Sequence, residues 1–341
     1  MSANIHGKMV YSFEKPMWHN ITEPSLVPMT ATGILQNRFG GGFPIILRPV
    51  EITLNGERTE TGDFAIVRGK SPYDQKEVVF GYCSDRYLPL QPSDVCASYD
   101  ANVKQTAETM AFLGKGEEMF ISWKMPSCEV TSGDTVDMYG IVRTGFDTLK
   151  GARLFTSVVR PVCWNTITFA QSWAKQNTDG HGKGNIWKGK GVNKNLLRDL
   201  GYWMAHVQEN ALKEVELLQS FFGLLAKTPI KSDTEAYEIL YEAFPPVQNV
   251  SEFYPVQLRT AKEEKTVEAN LDITQIRDGI FRLFSGEGTA ITPDYWGMLN
   301  STSEYFCHVQ ASKRPIAESV MFGGRQKHSM QMVTTLSNRV R

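Results

Sequence analysis

The sequence predicts an α+β fold, with an antiparallel strand-rich N-terminal half and a helix-rich C-terminal half. Three observations carry this prediction. Short runs of strand composition recur between turn residues up to about residue 165. Beyond that point apolar residues repeat at the helical period, most clearly at 196, 200, 203, 207, 211, 215, 218, 222 and 225. Strand and helix signals are thus segregated rather than alternating, which disfavours a dinucleotide-binding fold built from β/α repeats.

The elements follow in order. Residues 1–42 read as an irregular N-terminal arm with several prolines and a Gly40-Gly41-Gly42 hinge. Phe43 to Leu54 has strand composition, and Asn55-Gly56 is a hairpin turn leading into Phe64 to Val67. Val78 to Leu90 reads as a strand broken near Ser84-Asp85, and Pro92-Ser93-Asp94 starts a helix over Val95 to Lys104. Thr109 to Leu113, Glu118 to Met125, Val136 to Thr144 and Arg153 to Val162 form a meander, and a helix is expected over Thr166 to Lys175. Residues 43–177 thus form an antiparallel α+β core, and 178–195 a basic Gly/Lys loop unusually long for a compact domain. Residues 196–341 form a helical region packed on the core. It opens with one long amphipathic helix, Leu196 to Leu225. Helices over Thr234 to Ala243, Ile273 to Phe284, Tyr295 to Gln310 and Ile316 to Leu336 follow.

Several function classes are excluded or weakened. With 36 basic and 37 acidic residues, global charge gives no argument for a polyanionic partner, and only local asymmetry does. The five cysteines (Cys83, Cys96, Cys128, Cys163, Cys307) are odd in number and lack a Cys-x-x-Cys pair, so neither a disulfide framework nor a zinc site is expected. No secretory leader and no apolar run near the roughly 20 residues of a membrane span is present, so a cytoplasmic protein without membrane contact is expected.

Several segments resemble, in this order, the phage/plasmid-like family, which has no agreed reaction. They are Pro16-Met17-Trp18-His19, Phe80-Gly81-Tyr82 with Tyr87-Leu88-Pro89-Leu90-Gln91, Val159-Arg160-Pro161-Val162-Cys163-Trp164-Asn165-Thr166, and a C-terminal set. That last set holds Gly288-Thr289-Ala290, Trp296-Gly297-Met298-Leu299-Asn300, Glu304-Tyr305 and Phe322-Gly323-Gly324. The resemblance implies a gene carried by phages, plasmids or integrative elements, and so a bacterial host cell.

The charge pattern is most informative from Lys150 to Arg198. Nine basic residues face Asp179 alone, interleaved with Phe155, Trp164, Phe169, Trp173 and Trp187. Cations that follow phosphates beside aromatics that stack on bases are what sequence-tolerant single-strand binding requires. The candidate nucleic-acid-binding residues are Arg153, Arg160, Lys183, Trp187, Lys188, Lys190, Lys194 and Arg198. The bland alternative is a solvated lysine loop beside ordinary core tryptophans. Gly184 to Gly191 nearly matches a phosphate-binding loop, but Gly191 stands where the Mg²⁺-ligating Ser or Thr belongs. Glu263-Glu264-Lys265 lacks the accompanying aspartate of a nuclease. No catalytic residue, metal or cofactor is expected.

The sequence-level reading is therefore a mobile-element protein that binds single-stranded DNA, as an annealing or recombination accessory factor. Its mid-chain element order is similar to the core of single-strand annealing proteins, an analogy of fold rather than function. The alternative is an interaction or assembly factor: a host-directed inhibitor or a phage-particle component without a nucleic-acid role. A basic middle and C-terminus, set against twelve acidic and six basic residues over Ala205–Asp272, make a polarised chain suited to homo-oligomer formation.

Overall fold

A computed structural model describes residues 5–14, 24–147, 151–160, 165–167, 187–188, 195–246, 261–288, 292–310 and 324–340. In chain order its first elements are β1 (Ile5–Ser12), α1 (Ala31–Asn37), β2 (Ile45–Leu54), β3 (Glu57–Arg68), β4 (Val78–Ser84), α2 (Pro92–Asn102), β5 (Thr109–Leu113) and β6 (Glu118–Lys124). Then come β7 (Cys128–Thr131), β8 (Asp134–Gly145), β9 (Arg153–Arg160), β10 (Asn165–Ile167), β11 (Trp187–Lys188), α3 (Leu196–Glu209) and α4 (Ala211–Ala226). Helices α5 (Asp233–Ala243), α6 (Ala261–Arg282), α7 (Tyr295–Glu304) and α8 (Gly324–Arg339) complete the chain, with π-helical turns at Leu283–Glu287 and Tyr305–Val309. The α+β architecture expected from the sequence is thus present, antiparallel sheets first and helices after.

The chain divides into two compact units. The first holds Met1–Pro126, Met138–Ser157 and Trp173–Glu214, and the second Ser127–Asp137, Val158–Ser172 and Val215–Arg341.

In the first unit the sheet runs β1-β5-β6-β8-β9, with β11 also paired to β9, and β2-β3-β4 form a separate three-stranded sheet. Every residue of β5 is buried, and the rings of Phe39, Phe43 and Phe146 lie 4.9–6.3 Å from Phe112 at the core. Gly140 stands opposite Trp123 across β6 and β8; a Cβ there would lie 2.1 Å from the indole, so only glycine fits. At the β2–β3 turn Asn55 (φ 52°) and Gly56 (φ 87°) take the left-handed conformations that a two-residue hairpin needs. In the family-like Tyr-x-Pro-x-Gln stretch, the Gln91 amide pairs with the backbone of Ile45. Its oxygen accepts from Ile45 N–H (2.9 Å) and its nitrogen donates to Ile45 C=O (2.8 Å), as a neighbouring strand would.

Residues 1–42, read as an irregular arm, instead contribute β1 and α1. Strand β1 contains Gly7 and Lys8 and is a weak strand by composition; its pairing with buried β5 stabilises it. The N-terminus of α1 is capped from 69 positions away: Asp100 accepts the N–H groups of Ala31 (2.8 Å) and Thr32 (2.9 Å). Thr30 adds the local cap, its hydroxyl accepting from Gly33 N–H at 3.0 Å.

Two helical expectations also change. Thr166 and Ile167, expected to open a helix over Thr166 to Lys175, instead pair with Asn165 antiparallel to Val158–Arg160 as β10. The single helix expected over 196–225 is two, because Asn210 ends α3: its side-chain amide and its backbone N–H both bond to His206 C=O, at 2.8 and 3.1 Å.

In the second unit, β7 forms a hairpin with the start of β8, and helices α4 (from Val215) to α8 make the rest. All ten residues of α7 are buried. Trp296 packs against Phe222 with ring centroids 4.8 Å apart and donates its indole N–H to Asp134 (2.8 Å). A Cβ on the adjoining Gly297 would sit 1.9 Å from the Thr292 carbonyl oxygen. The Trp296-Gly297 pair of the C-terminal motif is thus accounted for by packing. Arg325 closes the last turn by donating to the carbonyls of Phe306 (2.8 Å) and Gln310.

Candidate nucleic-acid interface

The sequence-predicted residues separate into three groups. Arg153, Trp187 and Lys188 meet in the first unit: β11 pairs with β9 so that Lys188 stands opposite Arg153 and Trp187 opposite Leu154. Arg153 is half-buried and Leu154 fully buried. Arg160 ends β9 opposite Asn165 and belongs to the second unit. Lys183, Lys190 and Lys194 lie outside the described residues. Arg198 lies on the first turn of α3 and is exposed, its nearest acid being the adjacent Asp199 at 3.4 Å with both side chains in solvent. Such a contact contributes little and leaves the cation open to another anion.

Helix α3 presents a feature that sequence reasoning missed. Its apolar face is buried through Leu196, Leu200, Met204 and Val207. Opposite them, at four-residue intervals, are Arg198, Tyr202 and His206, which therefore share one helix face. Tyr202 is 64% exposed. Its ring lies within 13° of parallel to that of His206, at 6.3 Å, and Trp203 meets both rings edge-on at 5.6 and 5.5 Å. A cation, an exposed phenol ring and an imidazole thus lie in line. The signal was present as the polar complement of the apolar period. It was overshadowed by the lysine count of the preceding loop.

The helix carrying this stripe is held firmly. Gly201 lets α3 approach α2 until a Cβ would lie 2.7 Å from the Asn102 amide, and Ser98 donates to Leu197 C=O at 3.5 Å.

The near-match to a phosphate-binding loop fails structurally too, because Trp187-Lys188 at its centre are paired strand rather than a turn around an anion. Among the described residues no group of three His, Cys, Asp or Glu is arranged to hold a metal. Burial pushes the Cys128 thiol up to about 11 and raises those of Cys83 and Cys96, which makes poor nucleophiles of them.

One buried cluster has the residue types of a nucleophilic site but not the geometry. His6 Nε2 lies 2.9 Å from Ser71 Oγ, 2.6 Å from an Arg68 guanidinium nitrogen and 3.9 Å from Asp74. All three partners converge on one ring nitrogen, so the carboxylate does not orient the imidazole from its far side. Ser71 is fully buried, away from any substrate. Arg68, which is also fully buried, donates to Asp74 (2.6 Å) and Lys76 C=O (3.1 Å) and lies over the Phe43 ring. The cluster therefore fastens the 68–76 segment to β1.

This cluster makes stability depend on pH. Burial, with the Arg68 charge beside it, holds the His6 imidazole below its ordinary 6.5. The unfolded chain then binds more protons than the folded one between the two values. The neutral imidazole's contribution is complete above about pH 6.5 and is lost as the pH falls through the depressed folded value. The melting temperature should fall from pH 7 to pH 5.5, and less steeply in His6→Asn. Equal slopes for both proteins would remove His6 from this role.

The family comparison places the chain without assigning chemistry. The model of a domain of unknown function, DUF932, matches residues 79–332. No curated protein and no solved structure is matched by the chain. No described helix is long and apolar enough to cross a membrane.

Proposed function

This chain belongs to the DUF932 family, and for this member we propose sequence-tolerant binding of single-stranded nucleic acid. The residues used are the α3 stripe Arg198–Tyr202–His206, with Arg153 and Lys188 as further phosphate contacts. The observation that carries the reading is Tyr202, an aromatic ring held largely in solvent beside an exposed arginine on a helix otherwise well packed. An exposed aromatic offers a face on which any base stacks, and the cations follow the phosphates. The phage/plasmid-like resemblance supplies the setting, single-stranded intermediates of a mobile element's DNA metabolism in a bacterial host. Lys183, Lys190 and Lys194 would add phosphate contacts.

Fluorescence anisotropy with a labelled single-stranded oligonucleotide, titrated at several salt concentrations, tests this. Affinity should be micromolar or tighter at low salt and weaken steeply as salt rises. Tyr202→Ala should lower it by about tenfold, the loss of one stacked base. Arg198→Ala should lower it for all sequences alike and reduce the salt slope by about one. Both side chains are exposed, so the fold should survive the changes. Absence of binding at low salt would overturn the proposal.

A further inference from the structure

Four arginines among the described residues are buried, and three of them meet strong acceptors. Arg68 pairs with Asp74 and Arg143 with Glu118, while Arg325 donates to two carbonyls. The fourth, Arg277 on α6, is 4% exposed, and among the described residues no carboxylate pairs with it. Its Nη2 donates to Thr274 Oγ1 at 3.3 Å, about one turn back along the helix. Its guanidinium carbon lies 3.8 Å from the centre of the Tyr241 ring on α5. Its Nη1 is buried and has no hydrogen-bond partner.

Packing does not explain a cation at this position. Along the same seam between α5 and α6, Tyr237 stacks on Phe281 with ring centroids 4.3 Å apart. Tyr241 and Arg277 each lie one helical turn from that pair, so Arg277 occupies a place where an apolar side chain would pack. The Tyr241 ring offers its negative face to the guanidinium. It supplies no acceptor in the guanidinium plane, where the N–H groups point. A buried charged donor left without an acceptor is costly. Both groups that engage Arg277 reach the surface, Tyr241 being 53% exposed and Thr274 exposed as well. The cation therefore lies only one side chain below solvent.

We propose that Arg277 anchors a binding site for a small carboxylate, which Nη1 holds in the guanidinium plane while Tyr241 covers its face. A carboxylate is flat and accepts charge-assisted bonds from a guanidinium in that plane, whereas a tetrahedral phosphate does not lie flush with the ring. The surrounding charge also selects a ligand of low charge. Asp233 and Glu238 on α5 and Asp278 on α6 are exposed, and together they repel a polyanion. Entry requires only a turn of the exposed Tyr241 side chain. The site is independent of nucleic-acid binding, since α5 and α6 belong to the second unit and α3 to the first.

Thermal melting of the full chain in sodium acetate, against sodium chloride at equal ionic strength and neutral pH, is the test. Acetate should raise the melting temperature by about 2–4 °C, with a response that saturates as the site fills. Arg277→Met removes an unpaired buried charge, so in chloride it should melt no lower than the unmodified protein, and it should lose the acetate response. Arg277→Lys keeps the charge and should retain part of that response. An unmodified protein indifferent to acetate, a rise that never saturates, or an equal rise in Arg277→Met would overturn the proposal. A markedly lower melting temperature for Arg277→Met in chloride would overturn it too, by making the arginine a structural residue. A response to sodium phosphate in place of acetate would overturn the carboxylate as the ligand.

Discussion

Arg143→Ala is expected to cost about 3–5 kcal/mol of stability, the range for stranding one member of a buried ion pair. Arg143 sits on β8 opposite Phe120 of β6, which makes Glu118 its diagonal neighbour on the same face. The two side chains form an ion pair with Glu118 2% and Arg143 9% exposed. The cost arises less from the lost attraction than from a carboxylate left in a site that water does not reach. Glu118→Leu/Arg143→Leu should therefore be less destabilising than either Arg143→Ala or Glu118→Ala. Urea denaturation of the four proteins checks this. A loss below about 1 kcal/mol in Arg143→Ala would mean that the pair is solvated like a surface bridge.

Trp296→Ala carries the second large effect, about 3–5 kcal/mol for removing a large aromatic from a packed interior. The indole is 2% exposed, packs against the tilted ring of Phe222 and donates to Asp134, so its loss leaves a cavity and removes the donor to a carboxylate. Trp296→Phe keeps most of the volume and should cost less than the alanine change, the remainder reflecting the lost hydrogen bond. Melting by near-ultraviolet circular dichroism separates the three proteins. Equal stability for Trp296→Phe and Trp296→Ala would show that the hydrogen bond, not the packing, holds this helix.

Local sequence determined a good deal of this protein. Strand β5 occupies the residues its composition predicts, β6, β8 and β9 fall within two residues of theirs at each end, and Asn55-Gly56 makes the turn its residues require. Helix α5 starts at Asp233 behind a Ser232 cap, one residue ahead of the expected Thr234. Such signals are local: period, turn residue and cap lie within a few positions of what they specify. Two of the elements that escaped have distant stabilising partners: strand β1 depends on β5, and α1 adds the carboxylate of Asp100 to its local Thr30 cap. β10 instead pairs back on nearby Val158–Arg160, and the break at Asn210 turns on the choice of one amide.

The candidate interface divides in the same way. An excess of cations between Lys150 and Arg198 is a property of the sequence by itself. Which cations share a surface is not. Antiparallel register set Lys188 opposite Arg153 and placed Arg160 in the other unit. Burial of one face of α3 then left Tyr202 beside Arg198 in solvent. Composition counts charges, but register and burial decide which of them one ligand can touch. Tertiary structure alone also decided that Arg277 is buried against Tyr241, because helical period marks the face a residue occupies and not what stands opposite it.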